Sequence, residues 1–129
     1  MNLKDIFNLR GINAWHLANT LGWNFLGTSA VLLVIFYFLE KNPTAIVFFQ
    51  IFLVIGFFLV PLTGGLLFGR LAGDNRGPTY GVIGSLVSAT LSLLLVLPSG
   101  GILGVMLAIS AVAGGLNGGL LSYKKAKND

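Results

Sequence analysis

Four runs of about 20 largely apolar residues, the length a helix needs to cross a bilayer, constrain this chain more than anything else in it. They extend over 17–39, 44–68, 80–97 and 101–121. The breaks between them are "EKNP" at 40–43, a glycine-rich turn at 69–79 and "PSG" at 98–100. Hydrophobic residues make up 55% of the 129 and charged ones only 9%, against about 25% charged in soluble domains. A soluble fold of this size hides only roughly 60–70% of the surface its unfolded chain exposes, so the bilayer is the solvent this composition suits. The expected fold is an all-α membrane protein of four transmembrane helices arranged as two hairpins. It forms a single polytopic domain with a segment at 1–12, the spans within 13–123 and a basic tail at 124–129.

The basic residues set the expected orientation. With the N-terminus in the cytoplasm, Lys4, Arg10, Arg70, Arg76, Lys124, Lys125 and Lys127 lie inside and Lys41 alone lies outside, a strong positive-inside pattern. Trp15, Tyr80 and Tyr123 then fall at the cytoplasmic interface and Tyr37 near the outer one, where amphipathic rings prefer to sit. Both termini are therefore expected inside, with the chain integral to the cytoplasmic (inner) membrane. The apolar run after the charged start lacks a small-residue cleavage site and reads as a retained span. In "MNLKDIFNLRG", Leu3, Ile6 and Phe7 share one helical face, with Asn2 as a cap and Gly11 as the end, which predicts a short interfacial helix on the inner leaflet.

The stretch "GGLLFGRLAGDNRGPTYGVIG" at 64–84 resembles a phosphate-binding loop at first sight. It lacks the Gly-Lys-Ser/Thr ending of a Walker loop and the βαβ context of a dinucleotide fingerprint, so no nucleotide is expected. Gly69 and Gly73 suit a helix end, Asp74 and Asn75 a turn, and Pro78 the first turn of the next helix. Asp74 is placed to pair with Arg70 or Arg76, and these two arginines are the candidates for contact with lipid headgroup phosphates. The charges form no stripe with interleaved aromatics, so no nucleic acid is expected either.

Glycine spacing carries the packing expectation. Gly65, Gly69 and Gly73 recur every four residues; Gly77, Gly81, Gly84 and Ser88 begin a similar seam. Gly104, Ala108, Ala111, Gly115, Gly118 and Ser122 alternate steps of four and three along the last helix. Such small-residue seams let helix backbones approach closely where lipid offers no hydrophobic drive for association. All ten phenylalanines and both tryptophans lie at or before Phe68. The first two spans are thus expected to wrap a thin pair formed by the last two, or to present an aromatic wall to a partner. "GGLLFG" at 64–69 and "GGLNGG" at 114–119 form a faint internal echo, open equally to a duplicated hairpin and to low-complexity coincidence.

Chemistry is sparse. All twelve Asp, Glu, Lys and Arg residues lie outside the hydrocarbon core, which argues against proton-coupled transport through a buried carboxylate. With no cysteine there is no disulfide, thiolate nucleophile or cysteine-ligated zinc. His16 is the one candidate ligand for haem or a pigment magnesium, beside Trp15 and Trp23; a solvated interfacial histidine is the reading preferred. Asn24 and Asn117 sit at similar depth and are expected to hydrogen-bond between helices, or to contact a polar ligand. Gln50 and Thr63 are further isolated polar sites, and Pro61 is expected to kink the second span. No metal, cofactor or catalytic constellation is predicted, and bound lipid is.

From Gly64 onward, the Gly-Gly helix end, the arginine, the short turn, the Gly-rich last helix and the lysine tail resemble small bacterial four-helix, Gly-rich membrane proteins. The resemblance covers about half the chain. Asp74 and Pro78 near the turn are more distantly similar to the Gly-x-x-x-Asp and Pro of small membrane proteins encoded beside bacterial F-type ATP synthases. Neither resemblance supplies an active site. The combined expectation is a non-catalytic accessory or structural subunit of a larger, possibly bioenergetic, membrane complex, partnered by lipids and by other transmembrane subunits or its own copies. A homo-oligomeric channel or carrier is the alternative.

Overall fold

The computed structural model describes residues 3–122; Asn2, Tyr123 and the tail at 124–129, named above, lie outside them. The described chain is all-α: α1 (Leu3–Ile6), α2 (Ala14–Lys41), a 3-10 turn (Pro43–Ala45), α3 (Ile46–Ala72), α4 (Gly77–Leu95), α5 (Leu97–Gly100) and α6 (Ile102–Leu121). The four long helices are long and apolar enough to cross a membrane, and they pack as a four-helix bundle.

Local chemistry fixes the helix ends, several of which differ from the hydropathy boundaries. α2 starts three residues before the apolar run because the Asn13 side chain accepts from the N–H groups of Trp15 and His16 at 3.0 and 3.3 Å, a polar cap that hydropathy does not register. α3 runs on past Phe68 to Ala72, taking Gly69 and Arg70 into its last turn, and stops where Gly73 adopts a left-handed conformation with φ 68°. Pro61 lies inside it without interrupting the helix. Pro78 sits in the first turn of α4, where its missing N–H costs no intrahelical bond. The chain leaves α4 after Leu95, makes the short α5 through Pro98, and reverses at Gly101 with φ 58°.

α1 is shorter than the N-terminal helix expected. It ends at Ile6, well before Gly11, which instead occupies a left-handed turn at φ 76°. α1 packs on α4. Ile6 is buried in the protein while Phe7 remains 53% exposed, so the expected apolar face is divided.

α3 and α4 touch each other and both flanking helices, while α2 and α6 lie on opposite sides without contact among the described residues. α6 packs about equally closely on α3 and α4, so the tight set is α3, α4 and α6 rather than a pair wrapped by the first two spans. α4 is the enclosed member: 56% of its apolar window is buried, against 22% in α2.

Two ends are distinguishable. The near end carries the start of α2, the α3–α4 turn and the end of α6; the far end carries the α2–α3 connection and α5. Seven buried residues, Leu32, Ile35, Leu53, Phe57, Val96, Leu107 and Ala111, form an apolar cluster in the far half. The near half is built from glycine and small polar residues. α2 has 28 residues and α4 has 19, a difference of about 13 Å at 1.5 Å per residue. α2 and α4 begin level at the near end; at the far end the short α5 carries the chain on from α4, and the first turn of α6 lies opposite that of α3.

Candidate functional site

The near half holds three constructions, each built from small residues at helical spacing. The first is the glycine contact. A Cβ added at Gly81 would collide with the Gly115 carbonyl, and one added at Gly115 would collide with that of Gly81; Gly77 and Gly119 form a second reciprocal pair. The hydrogen in place of each absent Cβ therefore points at a carbonyl on the opposite helix, the geometry of a Cα–H···O contact. Gly114 and Gly118 face the carbonyls of Phe58 and Leu62 on α3 in the same way. Gly65 lies at the junction of all three helices: its added Cβ would stand 2.9 Å from the Gly115 carbonyl oxygen and 3.0 Å from the Gly81 Cα. Gly69 packs beside Ser122 and Gly77.

The expected seams are thus partly redistributed. Gly115 and Gly118 do not share one interface; they face α4 and α3 respectively, with Gly119 and Gly114 completing each ridge. Gly84 faces Thr20 and Asn24 of α2, and Gly104 meets the Leu97 backbone. Ala111 belongs to the apolar cluster and Ala108 is half-buried. Gly73 packs against nothing within 4 Å and serves as the cap of α3. The doublets in "GGLNGG" were the available signal: two Gly-xxx-Gly registers one residue apart present two faces about 100° apart on one helix.

The second construction is a buried polar file between α2 and α4. Thr20, Asn24 and Thr28 recur every fourth residue on α2 and are all fully buried; Ser88 of α4 faces them, while the equally buried Ser85 and Ser92 turn toward α6. Asn24 donates to the Thr20 carbonyl at 2.9 Å and accepts from the Ser88 hydroxyl at 3.0 Å; Ser88 and Thr28 hydroxyls lie 2.6 Å apart. Ser92 donates to the carbonyls of Ala89 and Gly104. The expected Asn24–Asn117 pairing does not exist, because α2 and α6 are not neighbours; Asn117 is exposed and donates to the Ala113 carbonyl at 2.7 Å within its own helix. Thr20, Thr28 and the Asn24–Ser88 link were missed, although the four-residue spacing of polar side chains along 20–28 was there to be read.

The third is a latch at the near end. Tyr80, expected at the lipid interface, is fully buried: its hydroxyl donates to Asp74 at 2.8 Å and accepts from the Asn13 N–H at 3.0 Å. The second Asp74 oxygen accepts the Arg76 backbone N–H at 3.1 Å. The Arg76 guanidinium donates to the carbonyls of Arg10, at 2.5 Å, and Asn8. Arg76 is therefore a clamp on the N-terminal segment, and Asp74 pairs with Tyr80 instead of an arginine side chain. Arg70 stays exposed in the last turn of α3.

His16 is half-buried, with its Nδ1 buried and unpartnered; its carbonyl accepts from Thr20 at 2.8 Å. The tryptophans expected to accompany a pigment are otherwise placed. Trp15 is 73% exposed, and Trp23 donates to the Val60 carbonyl and to Thr63, both at 3.1 Å, with its ring edge-on to Phe68. No group of three or more His, Asp or Glu side chains converges among the described residues. Comparison with protein-family models, with curated proteins and with solved structures found no match to this chain.

Proposed function

We propose that this protein is a non-catalytic subunit of a larger assembly in the cytoplasmic membrane, with both termini inside, and that it joins its partners through the outer face of α2 and α3. One observation carries this reading: the glycine ridges are used within the chain, which leaves the aromatic helices as the outward surface. Trp15, Trp23, Phe25, Phe36, Phe48 and Phe52 are each at least 41% exposed on α2 and α3. Large rigid side chains supply van der Waals contact between helices at low entropic cost. The resemblance of the second half to small bacterial Gly-rich membrane proteins points the same way. The test is gentle detergent extraction from native membranes, followed by native-gel separation and mass spectrometry. Co-migration with a large assembly, lost on replacing Phe48 and Phe52 by alanine, is the expected result; migration as a small homo-oligomer overturns it.

The buried polar file favours a second reading, a homo-oligomeric channel or carrier, because intramembrane polar side chains often mark a transport path. Liposome flux that Asn24→Ala abolishes without loss of assembly would establish it over the first.

A further inference from the structure

We propose that residues 3–12 form a strap that opens and closes over the near end of α4 as one piece, with Arg76 as its fastener, while the four long helices stay packed. Thr79 shows what the strap covers. α4 meets α6 and α3 through Gly77, Gly81 and Ser85, and α2 through Gly84 and Ser88. Thr79 points away from all three neighbours, about 200° round the helix from Gly81. Leu86 and Leu93 follow it on the same outward stripe at steps of seven residues. Both are exposed, yet Thr79 is fully buried. Besides the long helices, only α1 and α5 pack on α4 among the described residues, and α5 lies at the far end. The N-terminal segment is therefore the cover, and its Ile6 is buried by the contact.

What holds the strap down and what works against closure lie side by side. Arg76 donates to the carbonyls of Asn8 and Arg10, and Tyr80 accepts from the Asn13 N–H where the strap joins α2. Apart from these bonds the strap is lightly held: Phe7, Leu9 and Arg10 are all exposed, so Ile6 is the one described side chain it loses from a buried site on lifting. Against closure stands the Thr79 hydroxyl, buried and without a hydrogen-bond partner among the described residues. A hydroxyl buried without a partner is costly, and that cost lapses once the strap lifts and water reaches the oxygen. Opening thus gives up the Arg76 and Tyr80 bonds and the burial of Ile6, and recovers the hydration of Thr79. These opposed contributions make the near end a two-state element that opens at a lower free energy than the helix bundle. Arg76 sets the balance because its bonds, donated by a charged group, are the strongest of those lost.

The test is amide hydrogen exchange, read by NMR on the full chain in dioleoyl phosphatidylcholine nanodiscs. The reporters are the N–H groups of Asn8, Arg10, Ile12 and Asn13, all hydrogen-bonded in the closed strap. The four are expected to exchange at one common opening equilibrium, well ahead of the α4 interior. Arg76→Gln should speed all four about tenfold, Asn13 included, although the partner of Asn13 is Tyr80. Thr79→Val removes the unpaired hydroxyl at nearly constant shape and should slow all four about tenfold. Thr79→Ser keeps the hydroxyl and should not slow them. Exchange left unchanged or speeded by Thr79→Val would overturn the proposal. So would an Arg76→Gln effect confined to Asn8 and Arg10, or exchange of the four only in step with α4.

Discussion

The Tyr80 hydroxyl uses both of its hydrogen-bonding roles at once, and so ties the entry of α2 to the turn before α4. Tyr80→Phe leaves the Asn13 N–H and one Asp74 oxygen without their partner. A stability loss of about 1 kcal/mol is expected, with faster amide exchange across residues 8–13 by mass spectrometry; unchanged exchange there would show the latch to be idle. Asn24 and Ser88 form the interhelical link of the polar file. A double-mutant cycle with Asn24→Ala and Ser88→Ala should give a coupling of about 0.6 kcal/mol, with about 1.7 as the ceiling, read by reversible unfolding in mixed micelles. A coupling of zero would mean that Thr28 alone satisfies Ser88. Both residues were visible in the sequence as polar or aromatic positions, yet each received the wrong surroundings. Hydropathy fixes how deep a side chain lies, not the direction it faces, and partner choice depends on that direction.

At the scale of the helix, each of the two glycine doublets in the apparent internal echo has a packing role. Gly64 faces Trp23 and Asn24 of α2 while Gly65 faces α4 and α6; Gly114 faces α3 while Gly115 faces α4. Each doublet lies where one helix is squeezed between two neighbours. Gly81→Ala sets a methyl group against the Gly115 backbone carbonyl, which has no rotamer by which to yield. The expected cost is about 3 kcal/mol, whereas Gly22→Ala, with open space around it, should stay within about 0.5 kcal/mol. Equal effects in an unfolding series would refute the ridge. Gly73 belongs to a different category: it fits the four-residue spacing but works through its backbone conformation, so spacing alone could not separate a packing glycine from a capping one. Helix termini divide similarly. Gly73 and Pro78 announce their ends in the sequence, while the Asn13 cap sits in a polar stretch that hydropathy assigns to the tail.

The whole molecule is a four-helix bundle with an apolar cluster in its far half and a latched near end. The proposed orientation rests on Lys4, Arg10, Arg70 and Arg76 at the near end against Lys41 at the far one. The absence of cysteine makes this directly testable. In intact cells Asn42→Cys should react with a membrane-impermeant maleimide and Phe7→Cys only after permeabilisation; the reverse pattern would invert the topology. The sequence by itself determined the solvent, the number of long helices and the places where backbones can come close, because these follow from local hydropathy and side-chain size. Only the tertiary structure decided which helices touch. It placed α6 against both α3 and α4, separated α2 from α6, and thereby gave Asn24 to Ser88, left Asn117 outside and turned Tyr80 inward. Those assignments depend on the rotation of each helix about its axis. The spans are apolar almost all round, so no local pattern encodes that rotation, and close contact between neighbouring helices has to select it.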